Sequence, residues 1–532
     1  MIRIKDKLYR IPIEIYCSLL GLVFILLIFS VQNVNPLNLN WALNGGGDNF
    51  QHYIGWRFYR DASWTRYLFF MQNLNYPVGS SVIVTDSNPL FSFFFKLLRD
   101  FLPNAFQFNG IWIASCYALS GYFSGLIGKN LLLNKWQTIL LAGFVLFNPV
   151  VIQRVAIHDT LAGHWLILAG IYLITQKEQY RAPLWWGLLI LLTMLIHIYF
   201  LPMILFLLGL QLILQFNGSL RKALIPLVVA GIVITGGYFL IGYQFIEPSG
   251  GSYGELSMNL NAFINPDGSS SLIADRPTLP LQYEGFNYFG LGLILLTIAG
   301  IALGIPLLSK RSLLVVLYSL LFLGFAVSNV VVWDRTVLAR IPLSEKLTDM
   351  LSTFRSSGRF GWPFFYLTLV FSIKKISDFA RKSNIKTRLV LNILLIILFC
   401  VQLIDLAPCF TNYSQRFRSA KNEAPVLSTS AWTALFDKVS HVVVTDGDAK
   451  LTDAFMLMAA DHQLTFSGAD DARKIKPIFG GELIPVEELI QIDALKPDTL
   501  YILLNEKAIA LAEEKVPDMI SELDGIKRIL IE

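Results

Sequence analysis

Apolar residues in this chain come in long unbroken runs with short polar stretches between them. The runs lie near residues 12–31, 104–127, 136–153, 160–175, 183–198, 200–216, 222–246, 287–308, 312–332, 360–373 and 388–406. A helix of about 20 residues crosses the hydrocarbon core of a bilayer, so these runs predict a polytopic bundle of about eleven transmembrane helices. The alternation that marks a membrane β-barrel does not occur in them. The stretch 89–102 is apolar but too short to cross, and it holds Lys96 and Arg99. It predicts an interfacial or half-inserted helix. A second interfacial helix is expected just before it, where Phe50, Tyr53, Ile54 and Phe58 form a stripe opposite Asn49, His52, Trp56 and Tyr59.

Basic residues orient the bundle. They cluster at Arg3, Lys5, Lys7 and Arg10, at Lys129 and Lys135, at Lys177 and Arg181, at Arg221 and Lys222, at Lys310 and Arg311, and from Lys374-Lys375 to Arg388. With eleven spans, all of these fall on one side, which the positive-inside rule makes cytoplasmic. The first run has a basic leader, but Gln32-Asn33-Val34-Asn35-Pro36 lacks a small-residue cleavage pattern. It reads as a retained anchor. The expected location is the inner (plasma) membrane, multi-pass, with a cytoplasmic N-terminus. The loops 32–103, 247–286 and 333–359 then lie outside, with glycine-rich stretches Gly250-Gly251-Ser252 and Gly268-Ser269-Ser270-Ser271 marking a mobile part of the second.

The pattern changes in the tail. Short β-like runs, His441–Thr445, Leu500–Leu504 and Arg528–Ile531, alternate with helical patterns at Thr452–Ala460 and Glu506–Lys515. Such alternation predicts a small α/β domain. The division expected is a membrane domain over 1–410 and an extracytoplasmic domain over 411–532. Asp446-Gly447-Asp448 reads as a strand-to-helix turn.

Composition agrees with the pattern. The chain is 54% hydrophobic and 15% charged, with a mean hydropathy of +0.56, where soluble domains carry about 25% charged residues. The net charge of +5 comes mostly from the basic loops, so it bears on orientation and not on nucleic acid. Cys17, Cys116, Cys400 and Cys409 show neither a disulfide framework nor a metal-ligand spacing.

Four polar clusters gather on the outer side. In the first, Asn44-Gly45-Gly46-Gly47-Asp48 places a carboxylate on a glycine hinge directly before an aromatic helix. Asp48 with Gln51 fits a capping box, and it also fits a catalytic acid–base group at headgroup depth. Gln51, His52, Trp56 and Arg57 follow as candidate substrate contacts, although anchoring to lipid headgroups is the favoured role for Arg57 and Arg60. The second, Thr85-Asp86-Ser87-Asn88-Pro89, has the form of a helix start, and Asp86 could hold an acceptor hydroxyl or a cation.

The third cluster is His158-Asp159-Thr160-Leu161-Ala162-Gly163-His164, to which His197 adds a further histidine on the same membrane face. Ionisable groups at membrane depth are costly and therefore functional suspects. The six-residue offset of His158 and His164 puts them on different helix faces, unlike a zinc-binding HExxH. The fourth cluster holds Arg355 and Arg359 on the outer side, against the positive-inside trend. A pair of guanidiniums suits a phosphate, and headgroup snorkelling is the alternative.

These stretches together resemble the GT-C superfamily of polytopic glycosyltransferases. More narrowly, Gly46-Gly47-Asp48-Asn49-Phe50-Gln51-His52-Tyr53-Ile54-Gly55-Trp56, Thr85-Asp86-Ser87-Asn88-Pro89-Leu90 and His158-Asp159-Thr160-Leu161-Ala162-Gly163-His164 are similar to a bacterial family of uncharacterised polytopic membrane proteins. The resemblance implies a GT-C-like bundle and transfer of a sugar from a polyprenyl-phosphate donor to a glycan or lipid acceptor. It implies Asp48 as general base on the acceptor hydroxyl, Asp86 and Asp159 orienting the acceptor, and His158 joining the arginines at the leaving phosphate. Arg355 and Arg359 would meet the leaving phosphate, and His164 and His197 would touch substrate. The usual paired acid is missing, since Asn49 follows Asp48, which leaves a divalent Mg or Mn ion as a possibility and not a requirement. A lipid-linked glycan ligase or polymerase, a transporter and a non-enzymatic scaffold are the competing readings. The nearly charge-free spans and the lack of an internal repeat weigh against transport.

Overall fold

The computed structural model describes residues 11–45, 48–176, 182–215, 219–247, 253–303, 309–420, 427, 429–470 and 473–531. The basic leader up to Arg10, Gly46-Gly47, Lys177 with Arg181, and Gly250-Gly251-Ser252 lie outside them. The chain is mostly helical, with a small sheet region near the C-terminus. It divides into two compact units. A helical unit comprises residues 1–36, 108–237 and 248–419, and a loop–tail unit comprises 37–107, 238–247 and 420–532.

Every one of the predicted apolar runs carries a helix. Among the described residues, five helices are long and apolar enough to cross a membrane: Asn109–Asn130, Lys135–Ile157, Ala223–Ile241, Lys310–Val327 and Ile385–Ser419. Shorter apolar helices fill Ile13–Ile28, Asp159–Thr175, Ala182–Ile196, Phe200–Gln215 and Leu291–Ala302. The run at 360–373 becomes Trp362–Lys382, which continues into the basic stretch ending Arg381-Lys382. Small residues let the first helix lie close on the second: a Cβ on Gly121 would stand 2.0 Å from the Cys17 carbonyl oxygen.

A break in the helical unit sets the position of Arg154. Lys135–Leu146 stops at Phe147, and a new helix, Pro149–Ile157, starts under the side chain of Asn148, which accepts from the Val150 N–H at 2.9 Å. Proline suits the first helical position because that N–H needs no partner. The second segment carries Arg154 in its last turn and ends at His158.

The loop preceding Leu291–Ala302 is stapled to the helices. Asp405, fully buried on Ile385–Ser419, accepts from Tyr288 Oη–H at 2.7 Å, from the Leu291 N–H at 2.8 Å and from Ser270 Oγ–H. Ser271 adds its N–H to the Asp405 carbonyl at 2.8 Å. The stretch Gly268–Ser271, expected to be mobile, is thus fixed through Ser270 and Ser271 to one buried residue, a correction the glycine-rich composition hides.

The loop–tail unit is built around a five-stranded sheet in the order Thr465–Ser467, His441–Val444, Thr499–Leu503, Ile526–Ile531, Ile520–Leu523. The first three strands run parallel, and the last two pair antiparallel. Asp448 caps the helix Ala449–Asp461, accepting from the Lys450 and Leu451 N–H groups at 2.8 and 3.0 Å, as a strand-to-helix turn requires. The tail, expected as a domain of its own, shares its edge with the first outer loop. The Tyr76 N–H donates to the Phe466 carbonyl at 3.1 Å, and the Phe466 N–H to the Asn73 carbonyl at 2.9 Å. An exposed parallel edge invites such pairing, and the loop satisfies it.

The helix after the glycine hinge runs Asn49–Asp61. It is not the amphipathic interfacial helix the stripe suggested. His52 through Arg60 are all buried, on both faces. Gly55 makes one of these contacts possible, because a Cβ there would stand 2.2 Å from Thr85 Oγ1. The following helix, Pro89–Leu97, is capped by Asn88 and leaves Phe94 and Leu97 exposed.

Candidate functional site

A buried polar network lies in the helical unit, where three far-apart stretches meet. Arg154 comes from the helix Pro149–Ile157, Glu284 from the 3-10 turn Gln282–Gly285, and Arg359 from the 3-10 turn Ser357–Gly361. Arg359 grips Glu284 with two bonds, Nε to Oε2 at 2.8 Å and Nη2 to Oε1 at 2.9 Å. Arg154 Nη1 donates to the same Oε2 at 2.8 Å. All three residues are buried. Burial alone would raise the Glu284 carboxyl, but Arg154 and Arg359 outweigh it and hold the group well below the usual carboxylate range. Two guanidiniums therefore share the Glu284 carboxylate.

Aromatic rings line this network. The Arg359 guanidinium lies 4.6 Å over the Tyr199 ring, and that of Arg154 lies 5.5 Å from Trp362. Tyr199 is itself fixed, accepting the Ser356 N–H at 3.0 Å. His197 sits at the end of Ala182–Ile196, its ring 5.5 Å from Tyr199 and 5.3 Å from His158. The Tyr199 N–H donates to His197 Nδ1 at 3.3 Å, which puts the proton of a neutral ring on Nε2. The chain of contacts Arg154, Glu284, Arg359, Tyr199, His197, His158 is thus continuous.

Asp159 and His164 take other roles. Asp159 Oδ2 accepts from Asn109 Nδ2–H at 2.6 Å, and its carbonyl accepts from Trp112 Nε1–H at 2.9 Å. These bonds tie the turn after His158 to the helix Asn109–Asn130. His164 Nδ1 bonds Tyr366 Oη at 2.9 Å, with Trp362 packed 4.5 Å from its ring. Arg355 is exposed while Arg359 is buried. The two do not form the expected fork, because the turn Ser357–Gly361 directs Arg359 inward to Glu284.

The remaining sequence candidates belong to the loop–tail unit. Asp48 precedes the helix Asn49–Asp61, is exposed, and makes no capping bond, so the expected capping box does not form. Its carboxylate and a His52 ring nitrogen lie within 4.8 Å of each other. Gln51 Nε2–H donates to the Asp470 carbonyl at 3.3 Å. Trp56 is fully buried and donates Nε1–H to the Phe106 carbonyl at 3.3 Å. Arg57 pairs with Asp461 at 3.1 Å and with Asp61 at 3.5 Å. Arg60 donates to the carbonyls of Pro103 at 2.7 Å and Leu102 at 2.8 Å. Neither arginine is the headgroup anchor that its place on the helix suggested, because both are consumed inside the fold. Asp86 is half-buried with a left-handed φ of 52°, in the turn that Gly55 receives.

The donor atoms bear on the metal expectation. In the helical unit His158 and His197 offer ring nitrogens within 4.8 Å of each other. An imidazole pair suits a borderline metal such as zinc better than the hard Mg or Mn ions, which prefer oxygen.

Sequence reasoning missed Arg154 and Glu284. Arg154 interrupts an apolar run with a charge, a signal that could have found it. Glu284 carries no local signal, since its partners lie 130 and 75 positions away. A search of the curated proteins finds no match. The family comparison spans both the glycine hinge and the arginine network: over residues 18–407 the chain belongs to the family described as Domain of unknown function (DUF6311).

Proposed function

We propose that the protein is a membrane glycosyltransferase that takes a sugar from a polyprenyl-phosphate donor on the extracytoplasmic face. The observation that carries this reading is the buried pair Arg154 and Arg359 sharing the single carboxylate of Glu284. A guanidinium pair suits phosphate oxygens, and Arg154 Nε is a buried donor with no hydrogen-bond partner among the described residues. In the reaction, the acceptor hydroxyl attacks the anomeric carbon. A new C–O bond forms, the bond to the phosphate oxygen breaks, and polyprenyl phosphate leaves with the electron pair and one more negative charge. Arg154 and Arg359 stabilise that charge as it develops. His158 and His197 supply proton-carrying rings beside them. Asp48 keeps the role of acceptor base that the resemblance implies.

The topology belongs to the same proposal. The eleven apolar runs are read as eleven spans of a GT-C-like bundle in the inner membrane. The N-terminus is then cytoplasmic and the α/β tail extracytoplasmic. Donors on that face are lipid-linked, because nucleotide sugars are cytosolic.

The test is turnover of a radiolabelled polyprenyl-phosphate sugar by the full chain in nanodiscs. Removal of a transition-state charge partner costs on the order of 10²–10³ in kcat, and Arg359→Lys and Asp48→Asn are both expected to show it with unfolding temperatures near wild type. Transfer unaffected by either substitution would falsify the assignment of these residues.

A further inference from the structure

The loop preceding Leu291–Ala302 holds a cavity that the arginine network does not use. Asp267, Thr278, Tyr283 and Arg335 are among the residues lining an open volume of about 410 Å³, within the range of about 300–1,000 Å³ typical of ligand pockets. A smaller recess of about 20 Å³, room for a water or one hydroxyl, shares Asp267, Thr278 and Tyr283 with it and reaches inward to Asn261 and Gln282.

The walls are set before any ligand arrives. Arg276 grips Asp334 with two bonds at 2.9 and 2.6 Å. The Asn265 amide is bonded at both ends to the Arg276 backbone, at 3.0 and 2.9 Å. Asn259 Nδ2–H donates to Gln282 Oε1 at 2.9 Å and to the Asp334 carbonyl at 2.8 Å. Asn261 is the exception. It is fully buried, and Nδ2–H donates to Asp334 Oδ1 at 2.7 Å. Its Oδ1, however, is buried with no hydrogen-bond partner among the described residues. A buried acceptor left unmatched costs about 1–3 kcal/mol, so this oxygen favours a donor from a ligand.

The chemistry around it narrows the ligand. Tyr283 is 49% exposed and lines the cavity with an aromatic side chain. Asp267 is an acceptor, Arg335 a donor and Asn261 Oδ1 an acceptor. An aromatic side chain among acceptors and donors matches a sugar ring, whose C–H face is apolar and whose hydroxyls both give and take hydrogen bonds. The carboxylate of Asp267 disfavours a phosphate here, and the polar rim disfavours an alkyl chain. The turn Gln282–Gly285 carries Tyr283 into this cavity wall and Glu284 into the arginine network.

We propose that this cavity binds a sugar ring of the acceptor, stacked on Tyr283 and held by Asp267, Asn261 and Arg335. Its role as acceptor site rests on the transferase reading, and the binding itself does not. The experiment is saturation-transfer NMR on the full chain in nanodiscs, free of sugar-headed detergent, with methyl glycosides of glucose, galactose, mannose and arabinose. At least one glycoside is expected to receive saturation, most strongly at its ring C–H protons. Tyr283→Ala and Asp267→Ala, both at exposed positions, are expected to weaken it about tenfold with an unchanged unfolding temperature. No transfer to any of the four, transfer unchanged in both variants, or displacement by an equal concentration of inorganic phosphate overturns the proposal. None of these outcomes depends on donor turnover, so the binding can fail while the transferase reading stands, and the reverse.

Discussion

Both units bury two arginines, and they treat them differently. In the loop–tail unit Arg57 faces two carboxylates, Asp61 and Asp461, and Arg60 is spread over a ring of backbone carbonyls. The charges are paired with Asp61 and Asp461 inside the unit, and Asp461 remains 60% exposed. In the helical unit Arg154 and Arg359 face one buried carboxylate, Glu284. The first pair knits a loop helix to a tail helix. The second ties three distant stretches of the helical unit to one carboxylate. A buried arginine is therefore not a site by itself; the partners it already holds decide what it can still take.

The sharpest way to break this contrast is Glu284→Gln. Removing one partner of a buried ion network leaves charges uncompensated and costs about 3–5 kcal/mol. Thermal unfolding in detergent measures it, and a loss under about 1 kcal/mol would mean that water reaches the network. The folded carboxyl lies below its unfolded value, so its stabilisation is full above the ordinary carboxylate pKa and fades only as pH falls through the folded one. Unfolding temperature is accordingly expected to be flat in this respect from pH 5 to 8, roughly.

The loop–tail unit supplies an intermediate case in Lys96. Burial, then neighbouring Arg99, pushes its ammonium down to about 7. The Tyr59 and Trp64 rings, 4.0 and 4.6 Å away, offset part of that cost. The folded value lies below the unfolded one, so the penalty is full below about pH 7 and disappears as pH rises toward about 10.4. Lys96→Met is expected to stabilise the unit by roughly 1–3 kcal/mol at neutral pH and to abolish the rise in stability between those limits. Hydrogen exchange in the helix Asn49–Asp61 reads both effects. The smallest change is expected from Arg57→Met, about 1–2 kcal/mol, because Asp461 returns to water when its partner goes. A loss as large as that of Glu284→Gln would erase the distinction between the two pairs.

The sequence made the helices legible, because continuous apolar runs have few other uses. It also made the tail legible: His441–Val444, Thr499–Leu503 and the helix Glu506–Lys515 fall where alternation placed them. Two things were hidden. The polar stripe of Asn49–Asp61 read as a wet face, yet the tail helix Ala449–Asp461 packs on it, with Arg57 bonding to Asp461. The Glu284 partnership was hidden too, because pairing over such separations leaves no periodicity to read. Asp48 shows the reverse. Its spacing to Gln51 fits a capping box, but no capping bond forms and the carboxylate stays exposed.

The central claim is that Arg154 and Arg359 together hold a phosphate. Native mass spectrometry of the full chain with polyprenyl monophosphate and with the matching polyprenol tests it most directly, because the two lipids share a tail and differ only in the anion. The account predicts that the phosphate form is retained about tenfold better or more, and that Arg154→Gln removes this preference without removing polyprenol binding. Equal retention of the two lipids by the wild-type protein would contradict it.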